Sequence, residues 1–407
     1  MTTTTDIATD LVTPFAAYLA LREGARGSFL LESVDRGRLG RHSFVGSGSR
    51  IVYLNEAEAL AEPVVGYLGY DHVAKLEPTV PLPDDGARLP ESRFLVAETL
   101  LRFDHVLGTA QVLAGDATEV AARIARGGEV PHGIASSGPT RRFPSRETYE
   151  QGVRKIKEHI RAGDAFQVVL SQRAERPTSV SAVELYRALR RINPSPYLFL
   201  LELDGLDLVG SSPETLVKLD GRRASVNPIA GTCRPGAEEL LLTSEKDRAE
   251  HVMLVDLGRN DLSRVCRPGT VRVERLLEVE RFSHVSHLVS EVAGELRDGF
   301  SPFDLLRACF PAGTVSGAPK VRAMQLISEL EGYRRGPYAG AVGYSLGDGS
   351  LDTCIAIRTV VLHDGLARLQ AGAGIVVDSE PWAEHEECLA KLGALEAAID
   401  LAEQETR

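Results

Sequence analysis

Apolar residues recur along this chain with two periods. Tyr149, Val153, Ile156 and Ile160 fall three or four apart and predict a helix over residues 147–162. Similar stripes predict helices over 182–192, 245–257, 319–330 and 382–401, the last with Cys388, Leu392, Leu395 and Ile399 inward. The helix at 319–330 has Pro319 at its start and Gly332 just past its end, the usual asymmetry of helix ends. Short apolar runs bounded by turn residues predict strands at Phe29-Leu-Leu31, Ile51-Val-Tyr53 and Val64-Val-Gly-Tyr67, then over 166–170, 198–203, 207–211, 342–345 and 354–361.

Strands and helices do not alternate strictly, so an α+β sandwich is expected rather than a doubly wound parallel sheet. Glycine, proline and serine crowd residues 127–145 and mark a linker. It divides a strand-rich N-terminal lobe, 1–140, from a larger domain, 145–405. No internal repeat is visible.

A chain of 407 residues with 43% hydrophobic and 25% charged residues has the composition of a soluble globular protein. A net charge of −11 speaks against nucleic acid as partner, and no apolar run is long enough to cross a bilayer. The N-terminus shows no signal-peptide pattern, and five scattered cysteines form no CxxC pair. These features predict a cytoplasmic protein without structural zinc.

Two predicted helices carry acids three residues apart, Asp247 with Glu250 and Glu384 with Glu387. Positions i and i+3 share a helix face, so two such faces turned together would make a cluster that only a hard cation or protonation relieves. One such cluster alone is ordinarily a solvated face. Lys391 stands one turn beyond Glu387. The run Gly313-Thr-Val-Ser-Gly-Ala-Pro-Lys320 misses the P-loop spacing, yet it puts Thr314 and Ser316 at a helix start where an anion could sit. Gly372-Ala-Gly374 lacks the third glycine of a dinucleotide site and suits close backbone approach to a bound group. His251 and His287 are acid/base candidates, although a histidine among apolar residues is more often structural. No GxSxG elbow is present.

Ordered motifs from Phe166 to Leu392 resemble the chorismate-utilising enzymes. They are Phe166-Gln-Val-Val-Leu-Ser-Gln-Arg173, Gly210-Ser-Ser-Pro-Glu-Thr215, Pro228-Ile-Ala-Gly-Thr232, the stretch from Ala249 to Asp261, and Ser283-His-Val-Ser-His-Leu288. They continue with Pro311 to Lys320, Gly343-Tyr344, Ile355-Ala-Ile-Arg-Thr359 and Ala371-Gly-Ala-Gly-Ile-Val376. The resemblance implies a large α/β sandwich with a smaller N-terminal regulatory lobe and a cleft that binds chorismate and Mg²⁺. Position by position, it implies Glu250 and Glu387 as Mg²⁺ ligands, supported by Glu384 and Asp247. Arg358 and Tyr344 would hold the enolpyruvyl carboxylate, with Gly372, Ala373 and Gly374 alongside. Thr232, Ala230, Gly231, Thr314 and Lys391 would line the pocket. Glu214 would protonate the departing C4 hydroxyl, and His287 would stand near the ring.

Two positions bear on the chemistry. Relatives that add water resemble one another in a lysine base where this chain has Gln167, and an amide cannot deprotonate water. Relatives that aminate C4 resemble one another in a lysine where this chain has Ala230. What remains resembles the anthranilate synthases: ammonia adds at C2, the C4 hydroxyl leaves, and pyruvate is eliminated. The alternatives are release of the aminated intermediate before elimination, and a non-catalytic tryptophan-sensing relative. Leu30-Leu-Glu-Ser33 and Asn193-Pro-Ser-Pro-Tyr197 resemble the tryptophan-binding elements of that branch, which implies tryptophan as inhibitor at Leu31, Glu32, Ser33, Asn193, Pro196 and Tyr197. The lobe after Ser33 is shorter than usual, Asp247 stands where glutamate is usual, and Cys233-Arg-Pro replaces a more basic run. No glutamine amidotransferase segment is recognised, so ammonia would come free or from a separate glutaminase subunit.

Overall fold

The computed structural model describes residues 6–9, 11–33, 40–131, 135–234, 236–281 and 286–405, with the side chains of all of them except Asp6, Ala8, Thr232, Leu240, Lys246 and Asp247. Two large sheets face each other. The larger has 12 strands and the smaller 10 among the described residues, and every pairing between these strands is antiparallel. The expected α+β sandwich is therefore what the chain forms.

Period-two alternation with both faces buried accounts for the layers. In the strand Tyr197–Leu203, Phe199 and Leu201 point inward and meet Val65, Tyr67 and Val342 of the other sheet. Leu198 and Leu200 point outward, under the helices Pro14–Arg22, Ala182–Ile192 and Pro381–Glu405. On the smaller sheet, Val64, Leu68, Leu219 and Val292 are covered by the helices Glu245–Ser263 and Pro302–Cys309. The order of layers is helix, sheet, sheet, helix.

Helix ends follow local rules. Ser181 and Glu184 form a capping box before Ala182–Ile192, and Gly332 ends Lys320–Glu331 in the left-handed region at φ 67°. The five cysteines are all free.

Strands from both sides of the 127–145 segment share both sheets. Gly27–Glu32 pairs with Tyr197–Leu203, and Val64–Leu68 pairs with Ala341–Ser345. The segment is a boundary along the chain, and the hydrogen-bond ladders cross it.

The predicted strand 354–361 is broken in two. Leu351–Ile355 belongs to the smaller sheet and Thr359–His363 to the larger, with Arg358 between them at φ 51°. Leu206–Ser212 and Thr215–Asp220 make the same change of sheet, and they do it alongside. The two crossings are tied by Ser211 N–H to the Arg358 carbonyl (3.1 Å) and Ile355 N–H to the Glu214 carbonyl (3.0 Å). Two neighbouring strands thus pass together from sheet to sheet, and the residues at the corner leave both ladders.

Candidate functional site

That corner opens onto a cleft of ≈ 330 Å³. Glu214 comes from one crossing and Arg358 from the other. Gln167 and Val169 come from the strand Gln167–Pro177, and Gln370, Gly372 and Gly374 from its neighbour Leu366–Ile375. Ala230, Gly231 and His287 close one side, Thr314 and Val315 another. Glu250 enters from the helix Glu245–Ser263, and Glu387 and Lys391 from Pro381–Glu405.

The two glycines are required by what faces them. A Cβ on Gly374 would stand 2.8 Å from Gln167 Nε2, and one on Gly372 would stand 2.9 Å from the Tyr338 hydroxyl. Side chains there would push both groups off the cleft wall.

The electrostatics are uneven. Burial pushes the Glu214 carboxyl up to about 8, so it is protonated at neutral pH. Glu214 is half-buried and lines the cleft. The nearby Thr314 hydroxyl pulls the other way, although Thr314 Oγ1 closes no hydrogen bond of ordinary geometry. Desolvation also lowers the Arg358 guanidinium from its usual range, opposed by Tyr338 and Glu387. Among the described residues, no carboxylate forms an ion pair with Arg358. Lys391 Nζ is held between Glu387 Oε1 (2.7 Å) and the Gly372 carbonyl (2.8 Å). His287 Nδ1 lies 3.0 Å from the Gly231 carbonyl, so that nitrogen is the donor to it. Gln167 is 3% exposed and its Oε1 has no hydrogen-bond partner.

Several expected residues lie elsewhere. Tyr344 is in a second cavity, packed on Phe44 with ring centroids 4.5 Å apart. Alternation along Ala341–Ser345 turns it with Val342 into the space between the sheets. The tyrosine at the cleft is Tyr338, in the Gly336-Pro-Tyr338 segment before that strand. Ala373, between the two glycines, points the opposite way into the core. Glu384 is not among the residues lining the cleft. The side chains of Asp247 and Thr232 lie outside the described residues. His251 is buried with Nε2 2.6 Å from Ser290 Oγ and serves the core. Lys320, from the glycine-containing run, is engaged by Asp261 at 2.7 Å.

Tyr338, Gln370, Ile357 and Leu254 also line the cleft without having been singled out in the sequence. For Tyr338 the available signal was an aromatic in a Gly-Pro turn just before a predicted strand.

The second cavity, ≈ 80 Å³, is bordered by Leu31, Glu32, Ser33, Phe44, Pro196, Tyr197 and Tyr344. Ser33 Oγ is buried there without a partner. The Glu32 carboxylate turns to the outer face of its strand, where the Tyr186 hydroxyl donates to it. Asn193 is not on the lining; it ends the helix Ala182–Ile192, and its carbonyl accepts from Ser211 Oγ.

The chain matches the family described as chorismate binding enzyme over residues 25–397. The chain belongs to the chorismate-binding enzyme family. Anthranilate synthase component 1 of Thermus thermophilus is 44% identical, covering 97% of this chain and 96% of that protein. The Saccharomyces cerevisiae protein of that name is 41% identical over 97% of this chain and 90% of its own length. The crystal structure of anthranilate synthase component I from Streptococcus pneumoniae superposes with a TM-score of 0.76 at 31% identity, covering 96% of this chain and 98% of that one. No helix of the described residues is long and apolar enough to cross a membrane.

Proposed function

We propose that this chorismate-binding enzyme is the component I of an anthranilate synthase: it adds ammonia to C2 of chorismate, releases the C4 hydroxyl as water and eliminates pyruvate. The observation that carries this reading is the composition of one cleft. It holds a neutral amide, Gln167, a protonated carboxyl, Glu214, and a half-buried guanidinium without a carboxylate ion-pair partner, Arg358. Gln167 is no base for water, whereas ammonia is already a nucleophile. Glu214 can give its proton to a leaving hydroxyl. Arg358 suits a substrate carboxylate, since a fixed fork of donors matches two carboxylate oxygens. The names of the similar proteins support the same product.

Mg²⁺ fits the donors present. Among the described residues, no three His, Cys, Asp or Glu side chains stand together as a protein-only metal cage. Mg²⁺ commonly takes one or two carboxylates plus substrate and water, however, and Glu250 and Glu387 line the same cleft on different helices. These two would hold it, and bound Mg²⁺ would neutralise a carboxylate of the substrate. The second cavity, with its aromatic walls and unpartnered Ser33 hydroxyl, is where tryptophan would inhibit. A separate glutaminase component would supply ammonia.

The test is product analysis with purified chain, chorismate, Mg²⁺ and ammonium salt. Anthranilate fluorescence with equimolar pyruvate is expected. An aminated product without pyruvate would overturn the final elimination, and no turnover would overturn the activity. Glu250→Gln is expected to lose most of the Mg²⁺-dependent activity while leaving the melting temperature unchanged. Tryptophan is expected to slow the wild type, and Ser33→Ala to relieve this; a melting temperature indifferent to saturating tryptophan would refute the regulatory site.

A further inference from the structure

Glu214 lines two cavities. Besides the cleft it borders a smaller one, ≈ 50 Å³, which also shares Leu254 and Thr314 with the cleft. Asp261 lies on the wall of this smaller cavity. It is 5% exposed, and Oδ2 accepts from Lys320 Nζ at 2.7 Å. Asp261 Oδ1 has no hydrogen-bond partner, and neither has Thr314 Oγ1. Buried polar atoms are nearly always bonded to protein or to ordered water, and an unmet one costs about 1–3 kcal/mol. Cavities that stay dry are apolar, and one water needs only about 10–15 Å³ of such space. This cavity has room for water, and two residues on its wall carry unmet oxygens. Asn227, Leu257 and Ala312 on its lining are partly exposed.

We infer that this cavity is a hydrated proton inlet, through which Glu214 is reprotonated from solvent without passing the substrate, and that Asp261 is the positioning residue that orients its water. The inference rests on the role given to Glu214 in the proposed function. The proton balance is closed. Glu214 gives its proton to the C4 oxygen as the C4–O bond breaks, and water leaves. The nitrogen newly bonded to C2 loses one proton to solvent. A cavity water gives one proton to the Glu214 carboxylate and is restored from solvent, so no net proton is consumed. Two elements face Asp261: Lys320 comes from Lys320–Glu331 and the Cys309 thiol ends Pro302–Cys309, while Arg264 follows Asp261's own helix, Glu245–Ser263. Lys320 and Arg264 favour its ionised form against the burial that disfavours it.

The first test needs no activity: a high-resolution crystal structure of the full chain. Water within hydrogen-bond reach of both Asp261 Oδ1 and Glu214 or Thr314 is expected, and a dry cavity overturns the inlet whatever the enzyme makes. The second test is kinetic. Ala312→Leu fills the cavity and leaves the Asp261–Lys320 pair intact; Asp261→Asn keeps the shape and changes the charge. Each is expected to lower kcat at least tenfold at unchanged KM for chorismate and to enlarge the D₂O isotope effect on kcat. Should Asp261→Asn not fold, Ala312→Leu alone decides. Wild-type kcat and isotope effect in a folded cavity-filled variant overturn the inlet. A wild type that does not aminate chorismate overturns the functional reading instead.

Discussion

In the proposed reaction Glu214 would work as an acid because of where its carboxyl stands. Removed from solvent at the corner between the sheets, it holds its proton up to about 8. Above that pH the acid is lost, so kcat/KM, expressed per unit of free NH₃, is expected to fall with an apparent pKa about 8. Glu214→Gln should cost about 100-fold or more in kcat and abolish that limb. The stability linkage has a definite sign. Between the ordinary carboxyl value of 4.5 and about 8, the folded chain holds a proton that the unfolded chain has lost, so this group's contribution to stability falls as pH rises across that window. Denaturant titrations of wild type and Glu214→Gln at several pH values will show whether the difference follows that course. Arg358→Ala removes the unpartnered cation and is expected to raise KM for chorismate about 10- to 100-fold, the equivalent of a charged hydrogen bond worth ~1.5–3 kcal/mol. Steady-state kinetics will measure it. At this scale the sequence named residues that the fold brings together: Glu214, Gln167, Arg358, Glu250, Glu387 and Lys391 all line the cleft. Tyr344 and Ala373 were not placed correctly, because one step along a strand reverses the face, and motif order does not say which face meets the cleft.

Among the elements, Glu331 ends the helix Lys320–Glu331 and holds Arg335 four residues on, both side chains 1% exposed. Arg335 donates also to the carbonyls of Val315 (2.7 Å) and Val169 (2.9 Å), and Glu331 Oε1 accepts from Ser171 N–H (2.8 Å). One buried ion pair therefore fixes the backbone behind two walls of the cleft. Glu331→Ala leaves a buried guanidinium without its partner and is expected to cost about 3–5 kcal/mol in chemical denaturation. A double replacement by apolar residues of similar volume should recover much of this. The helices at 147–162 and 182–192 were legible because their stripes are local, and they correspond to Arg146–Arg161 and Ala182–Ile192. The division of 354–361 into two strands was not. The apolar run is continuous, and only pairing with Leu206–Ser212 and Thr215–Asp220 turns the chain at Arg358.

Over the whole molecule, the two halves of the sequence are woven into shared sheets. A fragment beginning at residue 145 would lose Gly27–Glu32 from one sheet and Val64–Leu68 from the other, exposing Phe199, Leu201 and Val342. It is expected to aggregate, or to bind a hydrophobic dye, in place of folding as an independent catalytic domain; a monomeric, cooperatively melting fragment would contradict this. The composition break at 127–145 gave no sign of the weave, since ladder partners are chosen by surfaces far apart in the chain.

The sequence by itself determined the secondary-structure periods, the sandwich class and the residue types of the site, because propensity, patterning and motif chemistry are properties of neighbours along the chain. The tertiary structure alone decided that Glu214, Glu250, Arg358 and Glu387 share one cleft, that Tyr338 and not Tyr344 lines it, and that Glu214 keeps its proton. Those outcomes depend on desolvation and on distances between segments more than a hundred residues apart, and these exist only once the two sheets have closed on each other.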